Sequence, residues 1–272
     1  MDLTKILGTH PVADAEEEAF VVFSQDIPSQ SLGFIDSQAS TLEVSVAGHD
    51  LVVHQSPGLL NSNRKEGTTG AVVWKITPLF ATWLSSPTCP LSTLLTPTST
   101  ILELGAGVSA IVALTLAPKV SRYTATDQDY VLKFLRQNVA ENMHVMFPKA
   151  RAGKGKKSVG GEERIKVEAL DWEKDDVRDR QAVDVIVACD CIYNESLIEP
   201  LNSTCAALCR LRARDETPTV CLIAQQLRSP DVFEAWLKSF HDKFEVWQVP
   251  DDMLGQELKE GSGFVVHVGI VR

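Results

Sequence analysis

From residue 99 to the end of the chain, short apolar runs alternate with segments of helical periodicity, and that order leaves few folds open. Thr100–Leu104, Tyr123–Thr126, Ile165–Ala169, Val183–Ala188 and Thr219–Ala224 read as strands. Ser109–Leu116, Tyr130–Asn142, Leu197–Leu211 and Val232–His241 read as the helices between and after them. Strands that are apolar on both faces need helices on both faces, which predicts an α/β fold with a Rossmann-like, mostly parallel sheet. Phe244–Val249 and Phe264–Val271 follow with no helix between them and predict an antiparallel pair at one edge, bringing the sheet to seven strands.

The region upstream reads as β-rich. Phe20–Phe23 is a short apolar run, Leu42–Val46 alternates with period two, and Leu51–Val53 follows a Gly-containing connection, a hairpin signal. Asn61–Gly70 reads as a polar loop into a helix over about Val73–Leu84, where Pro78 either kinks the helix or marks a later start. The expected organisation is an N-terminal β-rich extension, residues 1–70, packed on a single α/β domain, residues 71–272. Residues 149–161 carry five basic residues, four glycines and no acid, the composition of a mobile surface insertion or of an anchor for RNA or an acidic surface.

Charge narrows the partners. With 26 Lys+Arg against 36 Asp+Glu, the net charge of −10 repels a phosphate backbone, so stable nucleic-acid binding is not expected and a basic protein partner is. No run approaches the ~20 apolar residues of a membrane span and Met1–Glu18 carries no signal-peptide core, so a soluble, monomeric protein of the cytoplasm, or of the nucleus, is expected. The six cysteines lack a zinc-site pattern and read as buried thiols; no metal is expected.

The chemistry begins at Glu103-Leu-Gly105-Ala106-Gly107-Val-Ser109-Ala, which ends a strand and opens a helix. Glycines there let the backbone approach a nucleotide-like ligand, and helix-start N–H groups face it. Asp127, at the end of the next strand, is placed to accept hydrogen bonds from ribose hydroxyls, although it or Asp129 could instead cap the following helix. Both features suit NAD as well as S-adenosylmethionine. Three others favour S-adenosylmethionine: a carboxylate at Glu103, which would repel a pyrophosphate; Asp171-Trp172 after the third strand, an acceptor and a ring for an adenine; and Asp190-Cys-Ile-Tyr193 at the end of the fourth.

Gly70-x-x-x-Trp74, Glu103-Leu-Gly-Ala-Gly107, Asp127, Leu170-Asp-Trp172 and Asp190-Cys-Ile-Tyr193, in that order, resemble the seven-β-strand protein-lysine methyltransferases of the methyltransferase-like 21 group. The runs Val73–Phe80 and Leu104–Ser109 look most like its fungal ribosomal branch. The resemblance implies the class I methyltransferase fold and a protein-lysine N-methyltransferase acting on a large-subunit ribosomal protein of the L1 (uL1) family. It also implies that Trp74 packs near the methionine end of the cofactor, Gly105–Gly107 pass under it, Asp127 holds the ribose, Trp172 borders the adenine and Ala188 lies beneath. Ser109 departs from the pattern where a third glycine is common, which a helix N-cap there would accommodate.

Transfer requires a neutral amine about 3 Å from the methyl carbon, whereas free lysine has a pKa of about 10.4. A carboxylate at Asp190 can capture the cationic side chain, and Tyr193 can line its channel and orient the amine. The same chemistry on an elongation factor or chaperone, a noncatalytic cofactor-binding protein, and an NAD enzyme are the alternatives. Retention of Asp190 and Tyr193 speaks against the noncatalytic one.

Overall fold

The computed structural model describes residues 4–8, 10–29, 32–64, 67–148, 164–212 and 217–272. The basic insertion at 149–161 lies outside the described residues. After a single turn α1 (Thr4–Leu7) comes helix α2 (Ala15–Phe23), so the Phe20–Phe23 run is helical and the N-terminal region is not purely β. The reason is legible afterwards: Asp14 Oδ1 accepts from the Glu16 and Glu17 N–H groups as an N-cap, and Ala15, Ala19 and Val22 bury one helical face. Phe20 is left 75% exposed.

Strands β1 (Thr41–Val46) and β2 (His49–His54) form the expected hairpin, with alternate residues buried. A short turn of helix, α3 (Pro57–Leu60), precedes α4 (Ile76–Ser85), which starts later than Val73 and carries Pro78 in its first turn, where an N–H has no helical partner. The core then runs β3 (Thr100–Leu104), α5 (Ile111–Leu116), β4 (Arg122–Asp127), α6 (Asp129–Met146), β5 (Ile165–Ala169), β6 (Val185–Cys189), α7 (Ile198–Cys209), β7 (Val220–Gln226), α8 (Pro230–His241), β8 (Phe244–Gln248) and β9 (Phe264–Val271).

These last strands form one sheet in the order β5-β4-β3-β6-β7-β9-β8. β3 through β7 are mutually parallel, and β9 is the antiparallel strand, inserted between β7 and the edge strand β8. The order reverses at β3, so the carboxyl ends of β4, β3 and β6 open around a switch point where ligands bind such sheets. One face is covered by α4, α5, α6 and the hairpin, the other by α2, α7 and α8. No helix among the described residues is long and apolar enough to cross a membrane.

Helix α6 runs about one turn past its expected end at Asn142, and two asparagines within it, poor helix formers, dock the hairpin. Asn138 Oδ1 accepts from His54 N–H at 2.8 Å and its Nδ2 donates to His54 O at 2.8 Å and Val108 O at 2.7 Å. One turn on, Asn142 exchanges the same pair of bonds with Val52 at 3.0 and 2.8 Å. Both are buried. They close the free edge of β2 and, through Val108, tie the hairpin to the glycine loop.

Candidate active site

At the carboxyl ends of β4, β3 and β6 lies a cleft with about 850 Å³ of open space, lined by Trp74, Glu103, Gly105, Ala106, Gly107, Asp127, Asp171, Trp172, Asp190 and Tyr193. Ala188 is not among the lining residues: it is fully buried in β6, registered between Leu104 and Ile223. Its place is in the sheet behind the cleft.

The floor is backbone. Gly105 has φ +67°, and a Cβ there would stand 2.5 Å from Cys191 Sγ and 3.1 Å from the Trp172 ring. Gly107, at φ +59°, faces Gly70 O, which accepts from Val108 N–H at 2.8 Å. Any larger residue at Gly105 is strained and crowded at once. The loop stays non-helical to Ala110, itself left-handed at φ 58°, so α5 begins two residues later than expected. Ser109 is therefore not the N-cap residue; its Oγ accepts only a long 3.4 Å bond from Ile111 N–H.

Asp127 organises this floor. Oδ2 accepts from Gly107 N–H at 2.8 Å and Oδ1 from Gln128 N–H at 2.7 Å, while Gln128 occupies the N-cap position of α6. Helix capping is thus not its role. Burial pushes its carboxyl up to about 6, against the pull of those two N–H donors.

Glu103 stands at the cleft but not as the fixed charge expected. It is buried and receives the Tyr123 hydroxyl at 2.9 Å. Burial pushes it up to about 8, Tyr123 opposing and Asp127 adding to the rise, so among protein groups alone it is mostly protonated at neutral pH. A cation entering the cleft would draw it back toward the carboxylate.

Trp172 and Asp171 also differ from one another. Asp171 is engaged in its own turn, accepting from Glu173 N–H at 3.0 Å and pairing with Lys174 at 3.0 Å. Trp172 Nε1 is buried without a hydrogen-bond partner, as is Gln128 Oε1, and both residues line the cleft. One unmet donor and one unmet acceptor, beside a glycine cradle and the Asp127 carboxylate, fit an adenosine group.

On the β6 side, Trp74 donates to Thr69 O at 3.2 Å and packs on Phe34 with ring centroids 4.6 Å apart. Tyr193 is 37% exposed at the cleft mouth. Asp190 is in place, yet its carboxylate is not open to a substrate ammonium as expected. Its side chain is fully buried and both oxygens are held by Arg228, at 2.7 and 2.6 Å. Arg228 carried no sequence signal, being 38 residues away in a loop. Gln128, Tyr130, Thr69 and Cys191 also line the cleft and were missed, although each neighbours a motif that was read.

Residues 54–239 match the family model described as lysine methyltransferase. A Zygosaccharomyces rouxii ribosomal lysine N-methyltransferase 5 is 30% identical over 70% of this chain and 70% of its own length. Its Vanderwaltozyma polyspora counterpart is 26% identical over 93% and 94%. A Schizosaccharomyces pombe protein named diaminohydroxyphosphoribosylamino-pyrimidine deaminase is 30% identical over 86% of this chain, which spans only 53% of that relative. That name is the relative's alone, since this chain covers only about half of that protein. The chain belongs to the lysine methyltransferase family, S-adenosylmethionine-dependent enzymes that include the fungal ribosomal lysine N-methyltransferases.

Proposed function

We propose that the protein methylates a lysine of a large-subunit ribosomal protein of the L1 (uL1) family, in the cytoplasm. The observation that carries the methyl-transfer chemistry of this reading is the order of groups across the strand ends. Trp172 and Asp127 lie at β5 and β4, the glycine loop at β3, and Asp190 with Tyr193 at β6. A cofactor with adenine at the first end has its methionine end toward Asp190 and Tyr193, where the cleft opens through a partly exposed aromatic ring. When bound, S-adenosylmethionine supplies a methyl carbon to the amine lone pair, and the carbon–sulfur bonding pair stays on sulfur.

The residues of the chain do the rest. Gly105 and Gly107 admit the cofactor, Asp127 accepts from its ribose, and Tyr193 and Trp74 wall the acceptor so that the amine approaches in line. The names of the fungal relatives and the acidic balance of the chain both favour a basic ribosomal substrate.

The test is labelled methyl transfer into ribosomal proteins from a strain lacking the enzyme, followed by mapping of the labelled peptide. A labelled lysine in the L1-family protein is the expected result. Label confined to an elongation factor or chaperone replaces the substrate, and S-adenosylhomocysteine binding with no transfer to any protein favours the noncatalytic reading.

A further inference from the structure

Asp190 is enclosed by one cation. Arg228 Nη1 donates to Oδ1 at 2.7 Å and Nη2 to Oδ2 at 2.6 Å, and Oδ1 also accepts from Gln226 N–H at 3.2 Å. The same guanidinium lies 4.8 Å from the centroid of the Trp74 ring, and it donates to Gln226 Oε1 at 3.0 Å and Leu32 O at 3.3 Å. It therefore joins the acceptor-side turn, which Asp190 enters at φ 60°, to Trp74 and to the N-terminal segment. A planar fork with five donors can meet all these partners; an ammonium cannot.

A carboxylate at the acceptor end poses a chemical problem. An open negative charge within ~4–6 Å of an amine favours its ammonium form and raises its pKa by about 1–3 units. The ammonium has no lone pair for the methyl carbon. We propose that Arg228 is a positioning residue that masks Asp190, so that the turn is held in place without stabilising the protonated form of the substrate lysine. This rests on the lysine methyltransferase reading above. The lysine proton leaves to solvent, the amine attacks, and the pair's net charge near zero leaves that equilibrium close to its value in water.

Other ionisable groups face this corner: Cys189 and Cys191 beside Asp190, Glu103 from β3, Asp127 from β4, Tyr193 at the mouth, and Tyr130 of α6 with Arg64 over its ring. All are unchanged in variants of the pair, so a difference between variants isolates Asp190 and Arg228.

The experiment is the pH dependence of kcat, with saturating S-adenosylmethionine and protein substrate, for wild type, R228Q, R228K and D190N/R228Q, with S-adenosylhomocysteine affinity measured alongside. In R228Q the ascending limb moves to higher pH by about one unit or more. In R228K, which keeps the charge, it stays near wild type, and in the double variant it returns toward wild type. A lowered kcat with an unmoved limb in R228Q, or a double variant that keeps the shift, overturns the proposal and leaves a structural role only. Should R228Q not fold, D190N asks the same question with the opposite sign: an unpaired guanidinium moves the limb to lower pH, and a fixed limb overturns the masking role. A wild-type enzyme without lysine turnover sinks the functional reading instead.

Discussion

The two halves of the cleft are built differently. The cofactor half is built on the ends of neighbouring strands: Gly105, Ala106 and Gly107 follow β3 directly, and Asp127 ends the next strand and bonds back to Gly107. The acceptor half is assembled from four distant segments, with Leu32, Trp74, Asp190 and Arg228 meeting around one guanidinium. Local turns can specify a floor for a rigid cofactor. A wall that must admit a protein side chain and let its proton go is set by charges that only the folded chain brings together.

The largest expected effect falls on the cofactor half. Gly105→Ala places a Cβ against Cys191 and Trp172 at a positive φ, and should weaken S-adenosylhomocysteine binding by about a hundredfold in calorimetry. Wild-type affinity would remove the cradle from the account. Asp127→Asn comes next, with about 10–100-fold weaker binding, the loss expected for a hydrogen bond to a charged acceptor. Because burial places Asp127 at about 6, wild-type affinity should also fall as pH drops from 7 to 5, where the protonated carboxyl offers fewer acceptor sites. That limb should vanish in the Asn variant; its persistence would assign the titration to another group.

Tyr193→Phe probes the other half. It should lower kcat about tenfold while S-adenosylhomocysteine affinity changes less than about twofold. Equal losses in both would mean that the halves are not separable. The smallest effect concerns Glu103, held near 8 by burial. Its folded pKa lies above pH 7 and a cationic ligand lowers it, so binding at pH 7 should release up to about one proton, read as a buffer-dependent calorimetric enthalpy. The dependence should shrink in Glu103→Gln, and a buffer-independent enthalpy in wild type would contradict the neutral Glu103.

The sequence by itself determined the sheet, because apolar runs bounded by helical periods leave a buried parallel arrangement as the stable solution. It also determined the cofactor floor, since a strand, two glycines and an acid at the end of the following strand encode their geometry locally. Phe20–Phe23 shows where that legibility stops: four apolar residues have no readable period, and the cap at Asp14 with the burial of Ala15, Ala19 and Val22 against the core made them helical. Tertiary structure alone decided the ionisation of Glu103, through burial beside Tyr123, and the partner of Asp190. Charge state and ion pairing depend on solvent exclusion and on residues far apart in the chain, and neither is written in local spacing.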